Sequence, residues 1–301
     1  RTHNPEFTIL ELYVSYKDYN WMMDMTEQLL EKVAIDSNGK TNIKVGDKLI
    51  DFKAPYPRIS IYEAIEKYTG IDISTMDEAL IRQTANDLGV EIDKTMGKGK
   101  IIDSIFGDKC ESNFVQPTFI TDYPKEMSPL TKVHRNDINL TERFELIVNG
   151  KEIANAYSEL NDPIDQKERF EKQLELSKKG DLEAGEFIDH DFLRALEYGM
   201  PPTSGIGIGI DRLVMLMTNN SSIQEVLFFP QMRPEKQKIV LSEKEEAVFK
   251  LINNENQLIN ELKDQSGLSN KAWDKTIKSL RKLDLIKVEK IENEIYISKI
   301  N

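Results

Sequence analysis

The sequence predicts an α+β fold with a separate module at its C-terminal end. Along residues 1–238, hydrophobic residues recur at period two in some segments and at helical spacing in others, which is typical of a sheet flanked by helices. An Asn149-Gly150 pair between two β-rich segments indicates an antiparallel hairpin. Residues 239–301 carry 11 Lys+Arg against 11 Asp+Glu, whereas the rest of the chain is acidic, so the two parts differ in charge.

Composition limits the classes to which this protein can belong. Its 301 residues favour about two domains, and no apolar run approaches the roughly 20 residues of a membrane span. Residues 1–5 lack the features of a secretion signal, so we expect a cytoplasmic protein with no membrane partner. A single cysteine, Cys110, and three scattered histidines exclude intramolecular disulfides and a zinc cluster. A net charge of −12 argues against nonspecific coating of nucleic acid.

The first predicted strand covers residues 7–14, where polar and apolar side chains alternate. One of its faces would carry Phe7, Ile9, Glu11 and Tyr13. Aromatic side chains mixed with a carboxylate suit a ligand site better than a core. An amphipathic helix is predicted to follow over residues 21–33.

Residues from about 34 to 110 are predicted to be a mostly helical insertion. Ser60 and Glu63 form a capping box at the start of one helix, and Gly70 supplies its stop. The segment Gly97-Lys-Gly-Lys100 lacks the earlier glycine and the following Ser or Thr of a phosphate loop. We therefore interpret it as the start of another helix.

Two glutamates flank the turn of the predicted hairpin, which spans residues 144–157. Glu145 and Glu152 would lie diagonally on one face, close enough to share a divalent cation such as Mg²⁺. For isolated glutamates, a solvated hairpin face is the commoner explanation.

A glycine-rich strand is predicted near the end of the larger domain. After Asp162 the pattern is helical to about Leu196, and the series Gly205-Ile-Gly-Ile-Gly-Ile-Asp-Arg212 follows. Bare backbone on the glycine side would let a flat ligand approach closely. Arg212 begins the next helix, where free N–H groups and the helix dipole already favour anions, so it suits phosphate binding. Taken alone, the segment also fits close packing of a strand on a helix with an arginine at the surface.

The C-terminal module has the predicted element order of a winged helix. Three helices are expected at about 242–253, 256–265 and 269–283, followed by strands at 286–291 and 295–300 with Asn293 at the turn. One basic stripe on the third helix would consist of Lys271, Lys275, Lys278 and Lys282. The stripe suits contact with a tRNA backbone or a partner protein, and a solvated lysine face explains it equally well.

Three long segments together resemble the class II lysyl-tRNA synthetases over residues 1 to about 235. The opening Arg1-Thr-His-Asn-Pro-Glu-Phe-Thr-Ile-Leu-Glu-Leu-Tyr13 is similar to the second half of class motif 2. Arg143-Phe-Glu with Asn155-Ala-Tyr-Ser-Glu-Leu-Asn161 is similar to the lysine-specific strand pair, and Gly205 to Arg212 is similar to motif 3. The resemblance implies the antiparallel sheet of that family, flanked by helices and extended here by the helical insertion and the winged-helix-like domain.

The resemblance implies a lysine–tRNA ligase that uses ATP, L-lysine and tRNA(Lys), with Mg²⁺ as its cofactor. ATP binding is assigned to His3 on a phosphate, Phe7 stacked on adenine, Gly209 and Arg212. Catalysis is assigned to Arg212, Glu145 and Glu152, and the two glutamates would also hold the metal. Lysine binding is assigned to Glu11, Tyr13, Asn155 and Glu159. Asn155 would contact the substrate carboxylate, and Glu159 with Tyr13 would take the ε-ammonium, which needs a carboxylate and a neutral acceptor when it leaves water.

Other family features affect what we expect of this chain. Motif 1 with its dimer interface, the first half of motif 2 and an N-terminal anticodon domain are not in the sequence, so we expect a homodimer at full length and inactivity of this stretch alone. Strict alternation would put Glu152 and Asn155 on opposite faces of one strand, whereas the family needs both in one site. We therefore predict a β-bulge near Ala154.

Two other functions are open at this stage. A paralogue that attaches lysine to a protein would have no anticodon domain and no C-terminal winged helix. A non-catalytic binding module would have no physical reason to keep a costly cluster of charges such as Glu145, Glu152, Glu159 and Arg212.

Overall fold

The computed structural model describes residues 4–178, 185, 187–230, 241–291 and 294–300. The chain divides into two compact units, Arg1–Gln231 and Met232–Asn301. The predicted domain boundary between residues 238 and 239 lies outside the described residues, as do His3 and Asn293. Among the described helices, none has both the length and the apolar character that crossing a bilayer requires.

The first unit mixes strands and helices, which confirms the predicted α+β class. Its strands are β1 (Ile9–Ser15), β2 (Asn42–Val45), β3 (Lys48–Asp51), β4 (Arg58–Ser60), β5 (Thr118–Thr121), β6 (Arg143–Ile147), β7 (Glu152–Ser158) and β8 (Thr203–Gly209). Its helices are α1 (Tyr19–Asn38), α2 (Ile61–Thr69), α3 (Glu78–Asp87), α4 (Lys98–Lys109), α5 (Pro163–Lys178), α6 (His190–Glu197) and α7 (Ile210–Thr218).

One large sheet organises this unit. Its strand order is β1-β8-β7-β6-β5-β4, and neighbours are antiparallel except for the parallel pair β4 and β5. Helices α1 and α7 cover one face of the sheet, where Phe144, Ala156 and Ile206 belong to the buried core. Leu12 and Val14 of β1 pack against the same core, as predicted for the aliphatic face of that strand.

The helical insertion is shorter than the predicted range of 34–110. Helix α1 continues to Asn38, where Gly39 caps it, β2 and β3 form a hairpin, and β4 joins the main sheet. These strands have only three or four residues, too few for the period-two pattern to stand out in the sequence.

The helices predicted within the insertion do form. Ser60 and Glu63 make the predicted capping box of α2, and α4 begins directly after Gly97. Helices α2 to α4 enclose a second core that includes Ile120 and Ile147 of the sheet. Ile120 pairs with Glu145 across β5 and β6, so these helices cover the sheet beside the hairpin glutamates.

The helical stretch predicted from Asp162 to Leu196 is instead two helices, α5 and α6. Gly185 and Phe187 are not helical. A new N-cap starts α6, because the Asp189 carboxylate accepts a hydrogen bond from the Phe192 N–H at 2.9 Å.

The second unit contains α8 (Glu243–Leu251), β9 (Gln257–Leu258), α9 (Ile259–Ser266), α10 (Asn270–Lys282), β10 (Ile286–Ile291) and β11 (Glu294–Lys299). The three predicted helices and two predicted strands are confirmed. The sequence did not predict β9, which completes a small sheet in the order β10-β11-β9. Trp273 and Leu280 anchor the core of this unit. Its assignment as a winged helix stays a prediction.

Candidate active site

Strands β6, β7, β8 and β1 lie side by side and present one face opposite to the α1 and α7 layer. Strand register arranges the side chains of this face in rows. One row contains Glu145, Asn155, Gly207 and Glu11. The adjacent row contains Arg143, Tyr157, Gly205 and Tyr13. Because alternate residues of a strand share a face, both rows lie on the same side of the sheet.

A shift in register brings Glu152 to this face. Leu146 pairs with Ala154, but the next residue of β6, Ile147, pairs with Glu152, so Ile153 is the extra residue of a bulge. The β-bulge predicted near Ala154 is confirmed. Glu152 and Asn155, which strict alternation would separate, now line one cavity.

The glycines of β8 make room for neighbouring side chains. A Cβ atom at Gly205 would lie 2.8 Å from the Tyr13 ring and would collide with the Glu159 carboxylate. A Cβ at Gly207 would meet Ile9 at 3.2 Å. Glycine is therefore required here because side chains from β1 and β7 cross the backbone of β8 closely.

Glu159 supplies a half-buried carboxylate directly after β7. Its backbone N–H donates to the Thr203 carbonyl at 2.8 Å, which fixes the residue beside β8. Oε1 of Glu159 is buried and has no hydrogen-bond partner among the described residues. Burial raises the pKa of this carboxyl to about 7. An unpaired buried carboxylate destabilises the folded protein, so its position suggests a cationic ligand.

Two tyrosines border this carboxylate. The pKa of Tyr13 is raised by burial and then by the charges of Glu11 and Glu159. Burial and the charge of Glu159 raise the pKa of Tyr157 to about 12. Tyr157 had no predicted role, although its place between Asn155 and Glu159 at period two could have indicated one.

The hairpin glutamates lie among two arginines and a third carboxylate. Arg143 donates to Glu145 at 2.6 Å. Arg212 donates to the backbone carbonyl of Glu152 at 2.5 Å and lies 3.9 Å from its carboxylate. The pKa of Glu152 is raised by burial and by the charge of Glu145, against the opposing effect of both arginines. The third carboxyl is that of Glu111, whose pKa is raised by burial and by the charge of Glu145. Arg143 and Glu111 had no predicted role.

Two cavities meet at Glu152. One of about 370 Å³ is lined by Phe7, Ile9, Asn155, Gly209 and Arg212 in addition to Glu152. The other, of about 730 Å³, is lined by Glu145 together with the start of α4. Tyr13 and Glu159 are not among the lining residues of either cavity. The structure thus joins the described residues of the predicted ATP site to Glu152 of the predicted metal pair. The strand rows connect these to Glu11 and Tyr13, and Glu159 approaches the same face beside Gly205.

Only a few of the described side chains could bind one metal ion together. No cluster of three or more His, Cys, Asp or Glu side chains with metal-binding geometry occurs among them. Glu145 and Glu152 are hard oxygen donors, and the charge of Glu145 raises the pKa of Glu152. A bound cation would relieve that repulsion, so the pair fits Mg²⁺, which usually takes one or two carboxylates together with phosphate oxygens and water.

The second unit contains the four lysines of the predicted basic stripe. Lys271, Lys275, Lys278 and Lys282 are all exposed on α10. The opposite side of this helix is buried through Trp273, Thr276, Ile277 and Leu280.

Comparison with known proteins gives consistent matches. A family model described as class II tRNA synthetases (D, K and N) matches residues 1–233. A lysine–tRNA ligase from Christiangramia forsetii is 64% identical over 291 residues, which are 96% of this chain and 51% of that relative. One from Porphyromonas gingivalis is 72% identical over 236 residues, which are 78% of this chain and 41% of the relative. One from Azobacteroides pseudotrichonymphae is 66% identical over 236 residues, again 78% of this chain and 47% of the relative. The chain spans about half the length of the curated relatives it matches.

Proposed function

The chain belongs to the class II tRNA synthetases of the D, K and N group, and on this basis we propose that the whole protein is a lysine–tRNA ligase. It would form lysyl-adenylate from L-lysine and ATP, and would then transfer the lysyl group to the 3′-terminal ribose of tRNA(Lys). The similar proteins at 64% and 72% identity are lysine–tRNA ligases, which supports lysine over the other amino acids of the group.

The unpaired carboxylate of Glu159 is the observation that carries the assignment to lysine. Its Oε1 is buried without a partner among the described residues and lies beside the ring of Tyr13. The ε-ammonium of lysine would supply the missing cation, and the Tyr13 hydroxyl would supply a neutral acceptor. Glu11 lies in the strand row that contains Asn155 and would belong to the same amino-acid pocket.

The cavity that contains Phe7 and Arg212 is the proposed ATP site. The Phe7 ring is 62% exposed, so it has a free face on which adenine can stack. Gly209 leaves bare backbone beside it, and Arg212 lies in the first turn of α7, where anions are favoured. His3 would add a phosphate contact from outside the described residues.

Glu145 and Glu152 would hold Mg²⁺ on the ATP phosphates, where the ion would neutralise negative charge as it develops. Asn155 would orient the lysine carboxylate while Glu159 and Tyr13 fix the other end of the substrate. Held at both ends, the carboxylate can attack the α-phosphorus in line, and pyrophosphate leaves. Arg212 would stabilise the charge on the departing phosphates.

Exchange of pyrophosphate into ATP tests this function in the full-length protein. We expect exchange that depends on lysine and not on aspartate or asparagine. The Glu159→Gln variant should lose most of it, and a second assay should show transfer of lysine to tRNA. Exchange driven by another amino acid, or no exchange, would reject the lysine assignment, and charging of a protein in place of tRNA would indicate the paralogue.

We also propose that the α10 lysines contact the tRNA backbone. All four are exposed on one stripe, in a unit that lies beyond the residues matched by the family model. Replacing Lys271, Lys275, Lys278 and Lys282 by glutamine should weaken tRNA binding and reduce its dependence on salt. If the variant binds tRNA with the affinity of the wild type at every salt concentration, the four lysines are only a solvated surface.

We further propose that the full-length protein is a cytoplasmic homodimer, and light scattering can test whether it is a dimer.

A further inference from the structure

Arg143 had no predicted role, yet its guanidinium contacts two residues of the candidate site and the loop beside it. Its Nε donates to Oδ1 of Asn155 at 3.1 Å, and its Nη2 donates to Oε1 of Glu145 at 2.6 Å. Its Nη1 donates to the Met127 carbonyl at 3.3 Å and to the Ser128 hydroxyl at 2.9 Å. Each nitrogen of the guanidinium is thus engaged, and the planar group is fixed in one orientation.

The surroundings of Arg143 are themselves rigid. The Tyr123 ring, which is fully buried, lies 4.6 Å from the centre of the guanidinium. The loop at Ser128 is fastened to α5, because Arg169 donates to the Ser128 carbonyl at 3.0 Å and Gln166 donates to the Pro129 carbonyl at 3.0 Å. Because the guanidinium of Arg143 is held on several sides, it can in turn hold a neighbouring side chain in a defined geometry.

The contact with Asn155 decides which end of its amide faces the cavity. A guanidinium only donates hydrogen bonds, so the amide oxygen must turn towards Arg143. The opposite orientation would place the NH₂ group against the Arg143 Nε–H, donor against donor. Asn155 lines the cavity that Glu152 and Arg212 also line, so its NH₂ group is the end left for a ligand. An NH₂ group donates, as a bound carboxylate requires.

The contact with Glu145 acts on the other half of the site. Arg143 binds one carboxylate oxygen and so fixes the side chain beside Glu152. Its positive charge also opposes the repulsion between the two glutamates. One guanidinium therefore supports a proposed lysine contact and the proposed metal pair at the same time.

We infer that Arg143 is the positioning residue that couples the two halves of this site, holding Asn155 as a donor to the substrate carboxylate and Glu145 as a ligand to the cation. This inference rests on the proposed function. A lysine at position 143 would keep the charge but could not reach all four partners with one planar fork.

The Arg143→Lys variant of the full-length protein tests the coupling. In lysine-dependent pyrophosphate exchange, both the KM for lysine and the Mg²⁺ concentration for half-maximal rate should rise about tenfold, the effect of losing one charged hydrogen bond. The KM for ATP at saturating Mg²⁺ should change much less. If the KM for lysine and the Mg²⁺ dependence are both unchanged, the inference is overturned.

Arg135→Lys provides the matched control. Arg135 is likewise a fixed arginine: it donates to Asp18 and to Glu142 at 2.7 Å. Glu142 lies towards α1, because it accepts a hydrogen bond from the Ser158 hydroxyl, which in turn accepts one from the Tyr19 N–H. Replacement of Arg135 should lower thermal stability to a similar degree while leaving both kinetic quantities unchanged. Equal kinetic losses in the two variants would show that Arg143 acts only through stability.

Asn155→Asp tests the amide orientation separately and does so even if Arg143→Lys fails to fold. Aspartate keeps an oxygen for Arg143 but replaces the NH₂ donor by a second oxygen, so the KM for lysine should rise tenfold or more with thermal stability retained. Wild-type KM in this variant would overturn the inferred orientation. Absence of exchange in the wild type would overturn the proposed function, and with it this inference, whereas an active wild type with unaffected variants would overturn the inference alone.

Discussion

Replacing Glu159 by glutamine should make the protein more stable and less active. Glutamine keeps the size and shape of the side chain but cannot ionise. In the wild type, burial raises the pKa of the Glu159 carboxyl from 4.5 to about 7. Above neutral pH the folded protein therefore contains an ionised carboxylate that has no partner among the described residues for its buried oxygen.

The size of the effect follows from the pKa. A carboxyl whose pKa is higher in the folded than in the unfolded state binds protons more tightly when folded, so stability falls as pH rises from about 4.5 to about 7 and is constant above that. The full pKa difference corresponds to a loss of at most ~3.4 kcal/mol in folding stability. The Glu159 side chain is partly accessible to solvent, which reduces the loss, and we expect about 1–2 kcal/mol. The melting temperature of Glu159→Gln should then exceed that of the wild type by roughly 2–6 °C at alkaline pH.

Thermal unfolding of both proteins near pH 8 and near pH 4.5, with and without lysine, measures this effect. The stability difference should be present at the higher pH and largely absent at the lower one. Lysine should stabilise the wild type but not the variant, and pyrophosphate exchange by the variant should fall by roughly 10-fold to 100-fold, since one charged hydrogen bond is lost. A variant that is less stable at pH 8, or that exchanges at the wild-type rate, would refute the idea of an unpaired carboxylate kept for a cationic substrate.

Three further outcomes follow from the same geometry. The KM for lysine should rise about tenfold when pH falls one unit below the Glu159 pKa of about 7, because the protonated carboxyl cannot pair with an ammonium, and a flat profile would contradict this. Gly205→Ala should raise the KM for lysine and leave the KM for ATP unchanged, since its Cβ would collide with the Tyr13 ring and the Glu159 carboxylate. Gly107→Ala is its control, because a Cβ there meets nothing within 4 Å. Glu152→Gln should raise the Mg²⁺ concentration needed for half-maximal exchange by about tenfold, the loss of one charged ligand, and an unchanged requirement would remove Glu152 from the metal site.

Features that depend on neighbours in the chain were predictable from the sequence. The capping box of Ser60 and Glu63, the Asn149-Gly150 turn and the helix start at Gly97 all formed as predicted. Each is determined by hydrogen bonds or backbone angles within about four residues, which the sequence displays directly. The family resemblance was confirmed as well, because long motifs in a fixed order are more specific than any single pattern.

Features that depend on distant segments were predicted poorly. The short strands β2, β3 and β4 lie in the range predicted to be a mostly helical insertion, although β4 is held in the main sheet by its pairing with β5. A strand of three residues has little preference of its own, so its partner decides whether it forms.

The sequence by itself determined which chemical groups are present and on which strand face most of them lie: the glycine strand, the hairpin glutamates, and Tyr13 with Glu11 on one side of β1. Only the tertiary structure decided how these groups act on one another. The contacts of Arg143 and the burial of the Glu159 oxygen both arise where separate segments of the chain meet. Burial and hydrogen bonding depend on every segment that packs around a group, so they become defined only when the chain has folded.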